Sequence, residues 1–215
     1  MSAALLDAIR ALIQQDIGQR GLAHDPHNNL FTACPGDFET ACRSIAETRE
    51  PTLAIVTGFI IPHAQPPCGE TDGPLGALFL ARALQPLGVK LTLVSDSFCR
   101  QALELGLQAC GLSDSVPLIT LPDRQCRVSY YGLPWNPYAG LTHLIALERV
   151  GPGRQGRCHN MRGRDVTEEM APAHLLFEAP ARGQPPLTTI GIGDGGNEIG
   201  MGKIPWDTIR RNIPN

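Results

Sequence analysis

A short apolar run at residues 187–192 leads directly into a glycine-rich segment, and residues 188–203 read TTIGIGDGGNEIGMGK. Six glycines fall between positions 191 and 202. Glycines reach positive φ and let a backbone approach a ligand closely, whereas a purely structural turn needs only one or two of them. A strand that ends in such a loop places it at the carboxyl edge of a sheet, where open α/β folds bind ligands. The run therefore predicts an α/β fold with a ligand site after this strand.

The rest of the chain alternates apolar strands with helices. Apolar and β-branched runs predict strands at 52–59, 90–96, 116–122, 142–151 and 187–193, and helical spacing predicts helices at 75–88, 98–110 and 206–213. Such alternation forms βαβ units with right-handed crossovers. The near-continuous hydrophobicity of the first strand is typical of a parallel strand covered on both faces. The predicted fold class is therefore α/β, a mostly parallel, doubly wound (Rossmann-like) sheet with helices on both faces.

The first 50 residues have a different pattern. Apolar residues at helical spacing in 5–17 and a capped pattern at 37–48 predict two helices. A chain of 215 residues is long enough for one large α/β domain. We therefore expect residues 1–50 to form an N-terminal helical segment packed on the domain. Residues 51–215 are expected to form the α/β catalytic domain, with an irregular stretch at 123–140.

Composition excludes several classes of partner. The net charge of −3, without a basic run, argues against nucleic acid. The longest apolar run, residues 53–61, is too short to span a bilayer, and the N-terminus has neither a secretory nor a transit pattern. Seven cysteines without a CxxC pair favour free thiols in a reducing compartment. We expect a cytoplasmic protein that binds neither nucleic acid nor membrane. The sequence does not fix the oligomeric state, so a homo-oligomer is one of the possible states.

The loop that leads into the predicted helix at 75–88 contains the first candidate site residues. Glu70, Thr71 and Asp72 lie there between Gly69 and Gly73. Backbone N–H groups at a helix N-terminus attract an anion, whereas the two carboxylates suit an ammonium group or a metal. Helix capping by Thr71 and Asp72 is the structural alternative.

The second loop follows the strand at 142–151. Glu148 is predicted to lie at a strand end, a common position for site residues in these sheets. Downstream, Arg162 and Arg164 flank a glycine and could fork onto a carboxylate. A solvated surface position is the alternative for each arginine.

The third loop is the glycine-rich run. It has a formal GxGxxG match, but a dinucleotide fingerprint needs a helix next, then a strand and an acidic residue about 20 positions on, whereas here glycines continue through Gly202 and the sequence stops at Asn215. Ile204 after Lys203 excludes a P-loop. Asp194, Asn197 and Glu198 are oxygen ligands of the kind that Mg²⁺, Mn²⁺ or Ca²⁺ prefers. The pattern of the glycine-rich run does not require a cofactor. The alternative is a site in which these three residues bind a divalent cation. Lys203 offers a point charge for an anionic ligand.

These loops resemble the D-glutamate cyclase family, specifically its C-terminal catalytic-type domain, which occurs fused in vertebrate mitochondrial enzymes and as stand-alone bacterial proteins. The resemblance is carried by VTGF (56–59), GETDGPLGA (69–77), ALERVG (146–151), NMRGRD (160–165) and GIGDGGNEIGMGK (191–203). It implies a hydro-lyase that reversibly dehydrates D-glutamate to 5-oxo-D-proline. Similar proteins continue past the position of Asn215 with a further strand and helix, so the resemblance implies a domain truncated at its C-terminus.

The residues fit this chemistry through paired acids and bases. The candidate catalytic carboxylates are Glu70, Asp72, Glu148, Asp194 and Glu198, and the sequence leaves open which is the acid and which the base. The candidates for binding a small anionic, amino-acid-like substrate are Gly58, Gly69, Thr71, Gly73, Asn160, Arg162, Gly193, Gly195, Gly196, Asn197 and Lys203. Two alternatives stay open: a metal-dependent enzyme that handles a phosphate or nucleotide, and a non-catalytic amino-acid-binding protein.

Overall fold

A computed structural model of the protein describes residues 3–122, 140–178 and 187–213. Its strands are β1 (Thr52–Thr57), β2 (Ile60–Ile61), β3 (Cys68–Gly69), β4 (Lys90–Ser95), β5 (Leu118–Thr120), β6 (His143–Leu147) and β7 (Thr188–Ile192). Five of them form a parallel sheet in the order β5-β4-β1-β6-β7, while β2 and β3 form a separate antiparallel pair. The predicted α/β fold with a mostly parallel sheet is confirmed. Most of the irregular stretch predicted at 123–140 lies outside the described residues.

The helices are α1 (Ala3–Ile13), α2 (Asp37–Glu47), α3 (Asp72–Leu84), α4 (Ser97–Ala109), α5 (Leu175–Glu178) and α6 (Trp206–Asn212). The first helix ends four residues earlier than its apolar pattern predicts. Beyond it, the Asp16 carboxylate accepts the backbone N–H groups of Arg20, Gly21 and Leu22. Because these bonds fold the chain into a compact turn, α1 does not extend to the end of the apolar pattern at residues 5–17.

Both faces of the sheet are covered, as the near-continuous hydrophobicity of β1 predicts. On one face, Leu53 and Ile55 of β1 pack with α3 and α4, for example against Leu103. On the other face, Ala54 and Val56 pack with the segment at 171–176, which leads into α5. Alternate residues of one strand therefore belong to two different cores, which fixes the strand's register and orientation.

The order of the strands creates a switch point between β1 and β6. From β1 the chain adds β4 and then β5 on one side, and it later returns to add β6 and β7 on the other. Thr57 pairs with Leu147, and Leu147 pairs with Ile192, so the carboxyl ends of β1, β6 and β7 lie side by side. The loops that follow these strands therefore meet at one edge, at the position where doubly wound folds bind ligands.

The N-terminal segment packs against the last helix. Leu22 and Leu30 form a buried apolar cluster with Ile204 and Ile213. The Asn212 side chain joins the two regions by accepting the Asp25 N–H at 2.7 Å and donating to the Asn28 carbonyl at 2.8 Å. This packing brings the chain around residue 20 to the glycine-rich loop. Within the described residues, none of the helices has the length and hydrophobicity that crossing a bilayer requires.

Candidate active site

Glycine at position 73 lets α3 begin directly at the switch point. A Cβ atom there would lie 2.7 Å from Thr57 Oγ1 and 3.0 Å from Glu148 Cβ. Glu148 itself has φ +48°, a left-handed conformation that is uncommon outside glycine. The first turn of α3 and the strained backbone of Glu148 are therefore packed against each other, between the ends of β1 and β6.

Three carboxylates meet at this point. Glu148, Asp194 and Glu198 each offer an oxygen, and these oxygens lie within 4.8 Å of one another. We call these three residues the carboxylate cluster. Glu148 follows β6, whereas Asp194 and Glu198 belong to the loop after β7. The Glu148 N–H donates to the Ile192 carbonyl at 3.0 Å, which fixes the two loops relative to each other.

Glu198 is held more firmly than its partners. It is 6% exposed, and its Oε1 accepts the N–H groups of Asp194 at 3.1 Å and Gly195 at 2.6 Å. Its neighbour Ile199 donates its N–H to the Arg149 carbonyl at 2.8 Å. Oε2 of Glu198 is buried and has no hydrogen-bond partner among the described residues. Since buried polar atoms are nearly always paired, this oxygen is available to a ligand.

The environment of the cluster favours protonated carboxyl groups. Burial raises the pKa of Glu148 to about 8, and the nearby carboxylates of Glu198 and Asp194 add to the effect. Burial also raises the pKa of Glu198, against the opposing effect of its backbone hydrogen bonds. Burial raises the pKa of Asp194, whereas the Arg20 guanidinium lowers it. At neutral pH the cluster therefore holds a protonated Glu148 beside two further carboxyl groups whose pKa values are also raised, a setting in which carboxyl groups can exchange protons with a ligand.

The two carboxylates of the first loop lie at the rim of the site. Burial raises the pKa of Glu70, and Asp72 and Asp194 raise it further, so Glu70 lies in the electrostatic field of the cluster. The Glu70 N–H donates to the Phe59 carbonyl at 2.8 Å. Asp72 Oδ1 accepts the N–H of Gly73 at 2.9 Å within the first turn of α3. Thr71 precedes that turn but makes no side-chain capping bond.

Among the described residues, the cation that contacts the cluster is Arg20, which the sequence pattern did not single out. Its Nη1 contacts Asp194 Oδ1 across a separation of 174 residues in the chain. Lys203 Nζ instead pairs with Asp37, at 2.6 and 2.8 Å. Arg162 is exposed, and its backbone N–H donates to Asn160 Oδ1 at 3.0 Å. Only the three-dimensional packing of the N-terminal segment brings Arg20 to the site, so no local motif marks it.

Several predicted binding residues shape the backbone around the cluster. A Cβ at Gly193 would lie 2.6 Å from Glu198 Cδ, and one at Gly195 would lie 2.8 Å from Glu198 Oε1. Gly196 has φ +80°. Asn197 Nδ2 donates to the His159 carbonyl at 2.8 Å, which ties the glycine-rich loop to the loop before Asn160.

Two further predicted glycines line the first loop. Gly58 has φ +108°, and its carbonyl accepts Arg149 Nη1 at 2.9 Å. A Cβ at Gly69 would lie 2.1 Å from Cys99 Sγ, so only glycine fits against the start of α4. Both glycines are therefore required by packing, and this does not depend on any ligand.

The carboxylate cluster also defines which residues could hold a metal. Its three carboxylates are hard oxygen ligands suited to Mg²⁺, Mn²⁺ or Ca²⁺. The sequence predicts Asp194, Asn197 and Glu198 as the residues that could bind a divalent cation. The structure brings Asp194 and Glu198 together with Glu148, and the buried free oxygen of Glu198 fits a ligand role.

This parallel sheet, with acidic side chains gathered at its switch point, defines a doubly wound α/β protein whose site suits proton transfer or cation binding. The chain belongs to the D-glutamate cyclase-like, C-terminal family, whose model matches residues 9–215. The family resemblance predicted from the loops is thereby confirmed. The chain is 30% identical over 214 residues to the mitochondrial D-glutamate cyclase of Homo sapiens. The aligned region covers 95% of this chain and 33% of that relative. It thus spans about a third of the relative's length.

Proposed function

We propose that the protein is a D-glutamate cyclase-like hydro-lyase that interconverts D-glutamate and 5-oxo-D-proline. The observation that carries this proposal is the carboxylate cluster, in which three carboxylate oxygens lie within 4.8 Å of one another and the pKa of Glu148 is about 8. The name of the human relative supports the same reaction class. Passive binding of an amino acid would not require a protonated carboxyl group clustered with two further carboxyl groups.

The proposed reaction requires two protons to move between the same two atoms. In the forward direction the α-nitrogen attacks the γ-carboxyl carbon, a C–N bond forms, and one C–O bond breaks. The ammonium group loses two protons on becoming the lactam N–H, and the departing oxygen gains two on leaving as water. Because these transfers balance, the cluster finishes the reaction in the protonation state in which it began.

The contacts and the electrostatic environment of each carboxyl group divide the roles within the cluster. Glu148, protonated at neutral pH, donates one of the two protons to the departing oxygen and regains a proton when the nitrogen loses its second one. Asp194 contacts Arg20, whose charge opposes the rise in the pKa of Asp194 that burial causes, and it accepts the first proton from the ammonium group and passes it on to the departing oxygen. Oε2 of Glu198 is free to accept a hydrogen bond from the same nitrogen. The N-terminus of α3 adjoins Glu148 and supplies a positive end near the developing oxyanion.

A metal-dependent enzyme that handles a phosphate or nucleotide is the second candidate. It is favoured by the buried Oε2 of Glu198, which has no hydrogen-bond partner in the described part of the chain and lies beside two further carboxylates. A divalent cation held by the cluster would supply Lewis-acid chemistry. In that case calorimetry would detect binding of ATP that depends on added Mg²⁺ or Mn²⁺ and no binding of 5-oxo-D-proline.

Chiral product analysis tests the proposed reaction directly. The protein is incubated separately with D-glutamate, L-glutamate and each 5-oxoproline, and the products are resolved on a chiral column. We expect conversion between the two D compounds, lost in Glu148→Gln and retained in the control Glu104→Gln. Glu104 is matched because it is a solvent-exposed glutamate on α4, paired with Arg100 at 2.7 Å. Absence of turnover in the wild type, with and without added Mg²⁺ or Mn²⁺, would overturn the proposal.

A further inference from the structure

The N-terminal segment contributes one positive charge to an otherwise acidic site. Arg20 contacts Asp194, and both side chains remain partly open to solvent, with exposed fractions of 38% and 42%. Its charge also lowers the pKa of Glu70 and of Glu148, so its field reaches the rim and the centre of the site. A ligand that enters the site from solvent can therefore reach the guanidinium.

We propose that Arg20 is the residue that binds the α-carboxylate of the substrate. This inference rests on the proposed function. An anionic substrate that binds among the five candidate carboxylates needs a positively charged group to hold it, and Arg20 supplies that charge. Arg20 carries five donors in a planar fork that matches a carboxylate. Within the described residues its side chain contacts Asp194 and Met161 Sδ, both through Nη1, so Nε and Nη2 remain available to a second carboxylate.

The geometry of an amino acid places the α-carboxylate at Arg20. The ammonium group and the α-carboxylate are attached to the same carbon atom, so the residue that holds the α-carboxylate must adjoin the proton acceptor for the ammonium. Arg20 contacts Asp194, the proposed acceptor. The α-carboxylate is also unchanged between D-glutamate and 5-oxo-D-proline, whereas the γ-carboxyl group is consumed. The α-carboxylate is therefore the anionic group that the two compounds share, and a cation that binds both recognises it.

The backbone of Arg20 is fixed in advance for this role. The Asp16 carboxylate accepts the Arg20 N–H at 2.8 Å through Oδ1. Its Oδ2 accepts the N–H groups of Gly21 at 2.8 Å and Leu22 at 3.0 Å. Leu22 is buried against Ile204 and Ile213, which anchors the turn to the end of the chain that follows the glycine-rich loop.

Other described cations near the site have different partners. Lys203 pairs with Asp37 on α2. Arg149 is fully buried and binds Asp96 together with the carbonyls of Gly58 and Ala171. Among the described residues, Arg20 is thus the cation whose side chain contacts the carboxylate cluster.

Calorimetry with two ligands tests the inference. 5-Oxo-D-proline carries the carboxylate, and 2-pyrrolidinone is the same ring without it. We expect Arg20→Gln to weaken binding of 5-oxo-D-proline about tenfold to 100-fold, the range for loss of a hydrogen bond to a charged group, and to leave binding of 2-pyrrolidinone unchanged. Arg20→Lys keeps the charge but loses the fork, and should recover part of the affinity. Arg43→Gln, which removes an exposed arginine paired with Glu39 on α2, is the matched control.

Turnover of D-glutamate in the same preparations separates the two proposals. We expect Arg20→Gln to raise KM more than it lowers kcat. Equal affinity of the wild type and Arg20→Gln for 5-oxo-D-proline, or equal weakening of both ligands, would overturn the role of Arg20. A wild type that binds 5-oxo-D-proline through Arg20 without converting D-glutamate would overturn the proposed reaction and support the role of Arg20. Circular dichroism of each variant verifies that it is folded.

Discussion

The guanidinium of Arg149 contacts the carboxylate of Asp96 in the interior of the protein, where their side chains are 0% and 3% exposed. Asp96 follows β4 and Arg149 lies just beyond β6, so this ion pair reaches across the end of the central strand β1. Arg149 also donates to the carbonyls of Gly58 at 2.9 Å and Ala171 at 2.7 Å, and Asp96 accepts the Ala171 N–H at 2.6 Å. The pair therefore fixes the backbone directly after Glu148.

Breaking this pair should destabilise the whole fold. Asp96→Asn leaves the Arg149 charge buried without its counterion, and we expect a loss of about 3–5 kcal/mol in the free energy of unfolding, as for other buried pairs. Urea titration measures the change. Glu104→Gln, which breaks an exposed pair with Arg100, should have a far smaller effect. Equal midpoints for Asp96→Asn and the wild type would contradict a structural role for the pair.

The raised pKa of Glu148 predicts a dependence of stability on pH. In the unfolded chain this carboxyl ionises near its ordinary value of 4.5, whereas in the folded protein it stays protonated up to about pH 8. Between these values the folded state binds a proton that the unfolded state has lost, so stability falls as the pH rises. Glu148→Gln removes this dependence.

We therefore expect Glu148→Gln to be more stable than the wild type by roughly 2 kcal/mol above pH 8, after a discount for partial exposure of the side chain. The difference should vanish near pH 4. Urea titrations of both proteins at several pH values measure it. A constant difference between pH 4 and pH 9 would show that Glu148 ionises normally in the folded protein.

The five-stranded sheet could be predicted from the sequence because an apolar run marks each of its strands locally. The apolar run around Ile55 and the glycine-rich loop around Asp194 also give the position of the site, since parallel strands place their loops at one edge. Arg20 could not be predicted, because its contact with Asp194 depends on how the N-terminal segment packs on α6. The same holds for Lys203, whose partner Asp37 is 166 residues away.

Two glycines of the third loop should differ sharply in their tolerance to alanine. At Gly193 a Cβ would lie 2.6–2.9 Å from the Cδ, Cγ and Cβ atoms of Glu198, so Gly193→Ala must displace that buried carboxylate. At Gly202 a Cβ would have no neighbour within 4 Å among the residues that the structure describes. We expect Gly193→Ala to lower turnover of D-glutamate at least about tenfold and Gly202→Ala to retain wild-type rates. Equal rates for the two variants would contradict the placement of Glu198 in the active site.

Isosteric changes at the two loop carboxylates should remove turnover and preserve the fold. In Glu198→Gln the amide oxygen can still accept the N–H groups of Asp194 and Gly195, and in Asp194→Asn an oxygen remains beside Arg20. Each change removes a negative charge that proton transfer requires, so we expect kcat to fall about 100-fold or more. Steady-state kinetics with D-glutamate measure this, and urea midpoints verify folding. Near-normal rates in both variants would exclude these residues from the chemistry and leave Glu148 as the cluster's one functional carboxyl group.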